Sequence, residues 1–212
     1  MPDPLLAPRS QTLAPAAPRG FRAHAFARAY RVGHPREAVW DWLCDPATFV
    51  DGQVPPFRVE FVAPDGTPGG FREGTFTAHH GPGILFAGVL GEHVPPASGV
   101  TAYRDLRYGY GSYALSLRLA RPTRLQFWAD ARGLHETEVR VQLDADVREA
   151  LVPLWDRAMR VFWAGFGTAL ERQVGARAAG APPSPWRRRP VLALAGVAAA
   201  AGLALGIAGG RR

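Results

Sequence analysis

Six histidines, one cysteine and a segment dense in tyrosine and arginine are the groups in this 212-residue chain from which chemistry could be built. His79, His80 and His93 could ligate a metal if neighbouring strands bring them together. However, successive residues of a strand point to opposite faces, so His79 and His80 do not share an ion, and no metal site is expected. His80 has the parity of Gly74, Phe76 and Ala78, the less polar side of its segment, which makes it the histidine expected to face inward. The competing reading is a hydrogen-bonded histidine at a strand end before Gly81-Pro82-Gly83. Cys44 stands alone, which excludes an intrachain disulfide and any multi-cysteine metal site, and with no basic neighbour it reads as a small core residue. There is no lysine, so no Walker A loop and no Schiff-base lysine can exist. Gly109-Tyr110-Gly111-Ser112-Tyr113-Ala114 nearly spells a dinucleotide fingerprint. It joins two strands, though, with no helix N-terminus behind it to hold a pyrophosphate. Ser112 lacks the glycine that a nucleophile elbow needs two residues later. No catalytic set and no cofactor emerge.

Residues 103–128 carry Tyr103, Tyr108, Tyr110, Tyr113, Phe127 and Trp128 among Arg104, Asp105, Arg107 and Arg118. Tyrosines on a concave sheet could line a pocket, with an arginine or histidine orienting a polar head group. Alternatively the rings pack a core and the arginines pair with acids, Arg104 and Asp105 forming an ion pair at a strand edge.

The elements that would position these groups follow from periodicity. Residues 24–33 alternate as a strand ending at Gly33. His34-Pro35 then opens a helix in which Val39/Leu43 and Trp40/Cys44 repeat at helical spacing. Asp45-Pro46 ends it before a second short helical turn. Strand patterns fill residues 57–63, 71–80 and 84–94, then two stretches flanking Gly111. Arg121-Pro122-Thr123 reads as a turn, and the clearest alternation is at 137–147, with Val139, Val141 and Leu143 on one face. Short turns between successive strands predict an antiparallel meander. Residues 151–174 form a long helix with two apolar stripes side by side. One runs through Leu151, Leu154, Ala158, Val161, Gly165 and Ala169, the other through Trp155, Met159, Phe162, Phe166 and Leu170.

This order resembles the START-like (SRPBCC) superfamily over about residues 24–174. The local carrier is RVGHPREAVWDWLCDPATFV, similar to the family's opening strand, Pro-x-x-x-Val-Trp and Asp-Pro-x-x-Phe. The resemblance implies an α+β helix-grip fold, a curved antiparallel sheet of about seven strands around the C-terminal helix with an apolar cavity between them. It also implies binding of an apolar or amphipathic small molecule such as a lipid, an isoprenoid quinone or a polyketide-like compound. The cavity-facing side chains are then expected to be His80, Tyr108, Tyr110 and Trp128 from the strands, and Trp155, Met159, Phe162 and Phe166 from the helix. Cyclase or hydratase chemistry in the same cavity, with His80, a tyrosine or Glu60 as acid–base groups, is the alternative. So is a non-catalytic module whose cavity is filled.

The ends read differently. Residues 1–20 are a Pro- and Ala-rich leader expected to be disordered, residues 21–175 the folded domain, and 176–189 a Pro/Arg-rich linker. Within 190–210, twenty consecutive positions (191–210) lack a polar side chain, enough for a helix of about 30 Å. A transmembrane tail anchor is expected there, with Trp186, Arg187, Arg188 and Arg189 at an anionic membrane surface. Charge bias puts the folded domain on the cytoplasmic side of a cell membrane. Gly202, Gly206 and Gly210 could pair two such helices into a homodimer. The domain has 17 arginines and 17 acids, so the net charge of +7 lies outside it and no nucleic-acid partner is expected.

Overall fold

The structure is a computed structural model and describes residues 13–50, 58–65, 71–81, 84–113 and 119–180. Strand β1 (Phe21–Val32) is followed by helices α1 (Arg36–Leu43) and α2 (Pro46–Val50). Six strands come next: β2 (Arg58–Val62), β3 (Phe76–Gly81), β4 (Ile84–Val94), β5 (Ala102–Tyr113), β6 (Ala120–Gly133) and β7 (Glu136–Arg148). A 3-10 turn (Glu149–Leu151) leads into helix α3 (Val152–Ala178). The strands form one antiparallel sheet in the order β1-β7-β6-β5-β4-β3-β2. β2 to β7 are therefore a meander, and β1 closes onto its last strand while α1 and α2 cross to its first. This is the expected α+β helix-grip architecture.

Residues directly opposite each other across a ladder share a face. Phe26 pairs with Leu143, Leu143 with Leu125, and Leu125 with Leu106, which meets Leu90 on β4. That row defines the inner face, toward α1 and α3. α3 lies chiefly over β1 and α1. Its buried residues Trp155, Met159, Trp163, Phe166, Leu170 and Val174 recur at intervals of three and four, one stripe against Phe26, Phe127, Val139 and Val141. Only one of the two stripes expected from the sequence is buried along its length. Leu154 and Val161 are exposed, and Trp163 occupies the central core place expected for Phe162, which is half-buried edge-on to it at 5.1 Å.

Polar contacts latch α3 to β1. The Tyr30 hydroxyl donates to the Trp163 carbonyl at 2.7 Å, and the Gly33 N–H donates to the Glu171 carboxylate at 3.0 Å. Arg177 donates to Asp45 at 2.7 Å, joining the helix end to the start of α2. Gly167 is required beneath Tyr30, because a Cβ there would collide with the tyrosine ring.

Arg121-Pro122-Thr123 lies inside β6 rather than in a turn, with a register shift between Pro122 and Arg124. A bulge accepts proline because no ladder N–H is needed there. β5 likewise runs through Gly111, whose φ of 108° takes up the irregularity. Among the described residues no helix is long and apolar enough to cross a membrane. The expected anchor and its flank, Trp186 and Arg187 to Arg189 included, lie outside the described residues, as do residues 1–12 of the leader.

Candidate functional site

β2 carries its apolar residues on one parity, so Val59 and Phe61 face inward and Glu60 faces out. Val59 pairs with His79, and Phe61 with Thr77. On the other side of β3, His79 meets Phe86 and Thr77 meets Gly88. His79 and Thr77 therefore share the inner face with Phe61 and Phe86. His80 pairs with Arg58 and Leu85 on the outer face and lies 3.5 Å from Glu60. The expectation of an inward His80 is thus corrected to His79. The alternation was right and the choice of face was not, because Thr75 and Thr77 are buried while Phe76 is 46% exposed.

The His79 ring stacks on Phe86 at 4.6 Å and meets the edge of Tyr108 at 5.5 Å, with Phe86 and Tyr108 edge-to-face at 5.2 Å. Tyr108 is buried in this cluster. Burial pushes the His79 imidazole down to about 3, and neighbouring His80 acts in the same direction, so the ring is neutral at ordinary pH. His79 Nε2 and Thr77 Oγ1 are both buried and have no hydrogen-bond partner. Between Thr77 and Tyr108 in the same row stands Gly88, at a register shift where a Cβ would collide with the Arg107 carbonyl. That row has no side chain at its centre.

Nearer α1 lies Arg104, fully buried on the inner face opposite His93 and Phe127. Its guanidinium is sandwiched between the Phe127 ring at 4.3 Å and the Phe71 ring at 4.8 Å. Arg104 and Asp105 do not form the expected ion pair. Consecutive residues take opposite faces, and Asp105 instead accepts from Arg124 at 2.7 Å and Arg107 at 3.0 Å on the outer face. Trp40 stacks on His93 at 5.7 Å, and Cys44 Sγ is 3.7 Å from His93 Nε2. Burial raises the Cys44 thiol to about 11 and, with Arg104 adding to it, lowers His93, so the two are a neutral thiol and imidazole.

Trp128 is on the outer face, against Tyr103 at 5.4 Å and beneath Arg140 at 5.6 Å, which corrects its expected place in the cavity. Its strand neighbours explain this: Phe127 and Ala129 take the inward parity. Tyr110 pairs with Ala87 in β5, and its side chain lies outside the described residues. Trp155, Met159 and Phe166 are buried beneath the sheet as helix residues of the core, not beside His79. Thr77, Phe61 and Phe86 were absent from the sequence expectation, His79 entered it only as a rejected metal ligand, and Arg104 only within the tyrosine- and arginine-dense segment. The apolar parity of Val59 and Phe61 was the available signal, once β2 is paired with β3. Among the described residues no three His, Cys, Asp or Glu side chains assemble a metal site.

Among solved structures the chain is similar to the Zhui aromatase/cyclase from Streptomyces sp. R1128, at 13% identity over 76% of this chain and 100% of that one, with a TM-score of 0.52. A norcoclaurine synthase point mutant from Thalictrum flavum, bound to a transition-state analogue, matches at 11% identity over 74% of this chain and 98% of that one, with a TM-score of 0.51. The fold is that of these two proteins. A START superfamily protein from Mycobacterium smegmatis also aligns, at 16% identity over 72% of this chain and 97% of that one, with a TM-score of 0.47. No protein-family model and no curated protein matches the chain. At these identities the likeness speaks for the fold and leaves activity to the residues.

Proposed function

We propose that the chain is a membrane-tethered START-like domain that binds an apolar or amphipathic small molecule on the inner face of β2 to β5. The observation that carries this reading is the pairing of buried, unpartnered Thr77 Oγ1 and His79 Nε2 with the rings of Phe61, Phe86 and Tyr108. Buried polar atoms are nearly always satisfied, so two on one strand face beside an aromatic lining suit a ligand's own polar atoms. The apolar segment 191–210 would hold this site beside the bilayer and raise its encounter with membrane-dissolved ligand. Cyclase or hydratase chemistry has less support: His79 stays neutral, and His80 with Glu60 faces away from the site.

The full chain, purified and extracted for mass spectrometry, is expected to release a lipid, quinone or polyketide-like molecule. A reproducibly empty protein with no thermal shift across a panel of such compounds would overturn the reading. Fractionation with and without residues 187–212 tests the tether, which is rejected if the full chain remains in the soluble fraction.

A further inference from the structure

The polar atoms of β3 limit which head group this face of the sheet can serve. Thr77 and His79 are two residues apart on one strand face, about 7 Å along the strand, too far to satisfy each other. A threonine hydroxyl both donates and accepts, and a neutral imidazole offers one N–H and one lone pair. Neither brings a charge. Around them are faces and edges of rings: His79 on Phe86, both against Tyr108, with Phe61 across the ladder from Thr77. Among the described residues the cation of this inner region is Arg104, whose guanidinium stacks over the rings of Phe71 and Phe127. It belongs to the His93 row under α1, set apart from Thr77 by the Leu90–Leu106 row.

We propose that Thr77 and His79 are the polar recognition pair of this site and select an uncharged ring compound bearing a hydroxyl or carbonyl oxygen, the chemistry of a phenol or a quinone. This rests on the ligand-binding reading above. A hydroxyl finds its complement in either tautomer of His79 and a carbonyl in the one that carries the proton on Nε2, while the Thr77 hydroxyl can donate to both; the ring takes its place among the aromatic side chains. A carboxylate there would meet two buried polar side chains that offer it only single neutral donors, which does not offset its desolvation.

The test titrates the full chain with three probes of one ring system, naphthalene, 1-naphthol and 1-naphthoate, following tryptophan fluorescence. The native chain is expected to bind 1-naphthol about tenfold more tightly than naphthalene for each hydrogen bond made, and 1-naphthoate more weakly than 1-naphthol. Thr77→Val and His79→Phe keep shape and ring stacking, so each should bring the naphthol-to-naphthalene ratio toward one by weakening 1-naphthol relative to naphthalene. If His79→Phe does not fold by circular dichroism, Thr77→Val alone carries the test. Preference for 1-naphthoate, or an unchanged ratio in the folded variants, overturns this proposal while leaving the ligand-binding reading in place. Failure of all three probes to bind overturns this proposal, and the ligand-binding reading is then decided by the extraction and thermal-shift panel above.

Discussion

The inner face of the sheet has two halves built on different principles. Over β1, β7 and β6 the inner face packs against the α3 stripe, and Phe26, Phe127, Val139, Val141 and Leu143 share one core with Trp163, Phe166 and Leu170. Over β2 to β5 the lining is Phe61, Phe86, Leu90, Leu106 and Tyr108, a separate cluster, with two unpartnered polar atoms beside it. One half is filled by the helix and supports the fold, with Trp163 Nε1 and His24 Nδ1 buried in it without a hydrogen-bond partner. The other brings its two unpartnered polar atoms together on one strand face beside aromatic rings, a pattern that trades stability for recognition.

Substitutions should separate the halves. The largest effect is expected for Trp163→Ala, which empties the centre of the filled half and should cost about 3–5 kcal/mol in a denaturant titration. Gly167→Ala drives a methyl into the Tyr30 ring and should cost about 1–3 kcal/mol by the same measurement. Acid should act through the other half. The His79 pKa is lower in the folded than in the unfolded state, so the stability it contributes is complete above about 6.5. That stability is lost as pH falls toward 3, with a slope of up to about 1.4 kcal/mol per pH unit. His79→Phe should flatten that part of a stability–pH curve, while the similarly lowered His24 and His93 keep their share. Tyr30→Phe removes one hydrogen bond to the Trp163 carbonyl and should cost about 1 kcal/mol. The smallest effect is expected for Thr77→Val. Replacing an unpartnered buried hydroxyl by a methyl of the same shape should leave the melting temperature unchanged or raised. A large loss there would mean that the Thr77 hydroxyl is held by the fold after all.

The element order was legible because apolar spacing reports local periodicity. The 137–147 alternation became β7 with Val139, Val141 and Leu143 inward, and the long C-terminal helix appeared where its spacing put it. Errors arose where a choice between faces was needed. His80 for His79, Trp128 for Phe127 and Phe162 for Trp163 are each slips of one residue, and one step in a strand reverses the face. In β3 the polarity cue itself misled, since threonines point in and Phe76 points out. The helix slip has a related cause: 100° separates Phe162 from Trp163, and the apolar surface was broad enough to accept either.

The sequence by itself determined the succession of strands and helices, the exclusion of lysine and multi-cysteine chemistry, the neutrality of the domain and the apolar tail. All of these are properties of composition and local spacing. Only the tertiary structure decided which face is inner, because a strand's two parities are distinguished by its partners. The Val59–His79–Phe86 row makes His79 part of the site. Likewise, Arg104 and Asp105 are neighbours in sequence, yet the pleat puts one between two phenylalanine rings and the other among arginines on the opposite side.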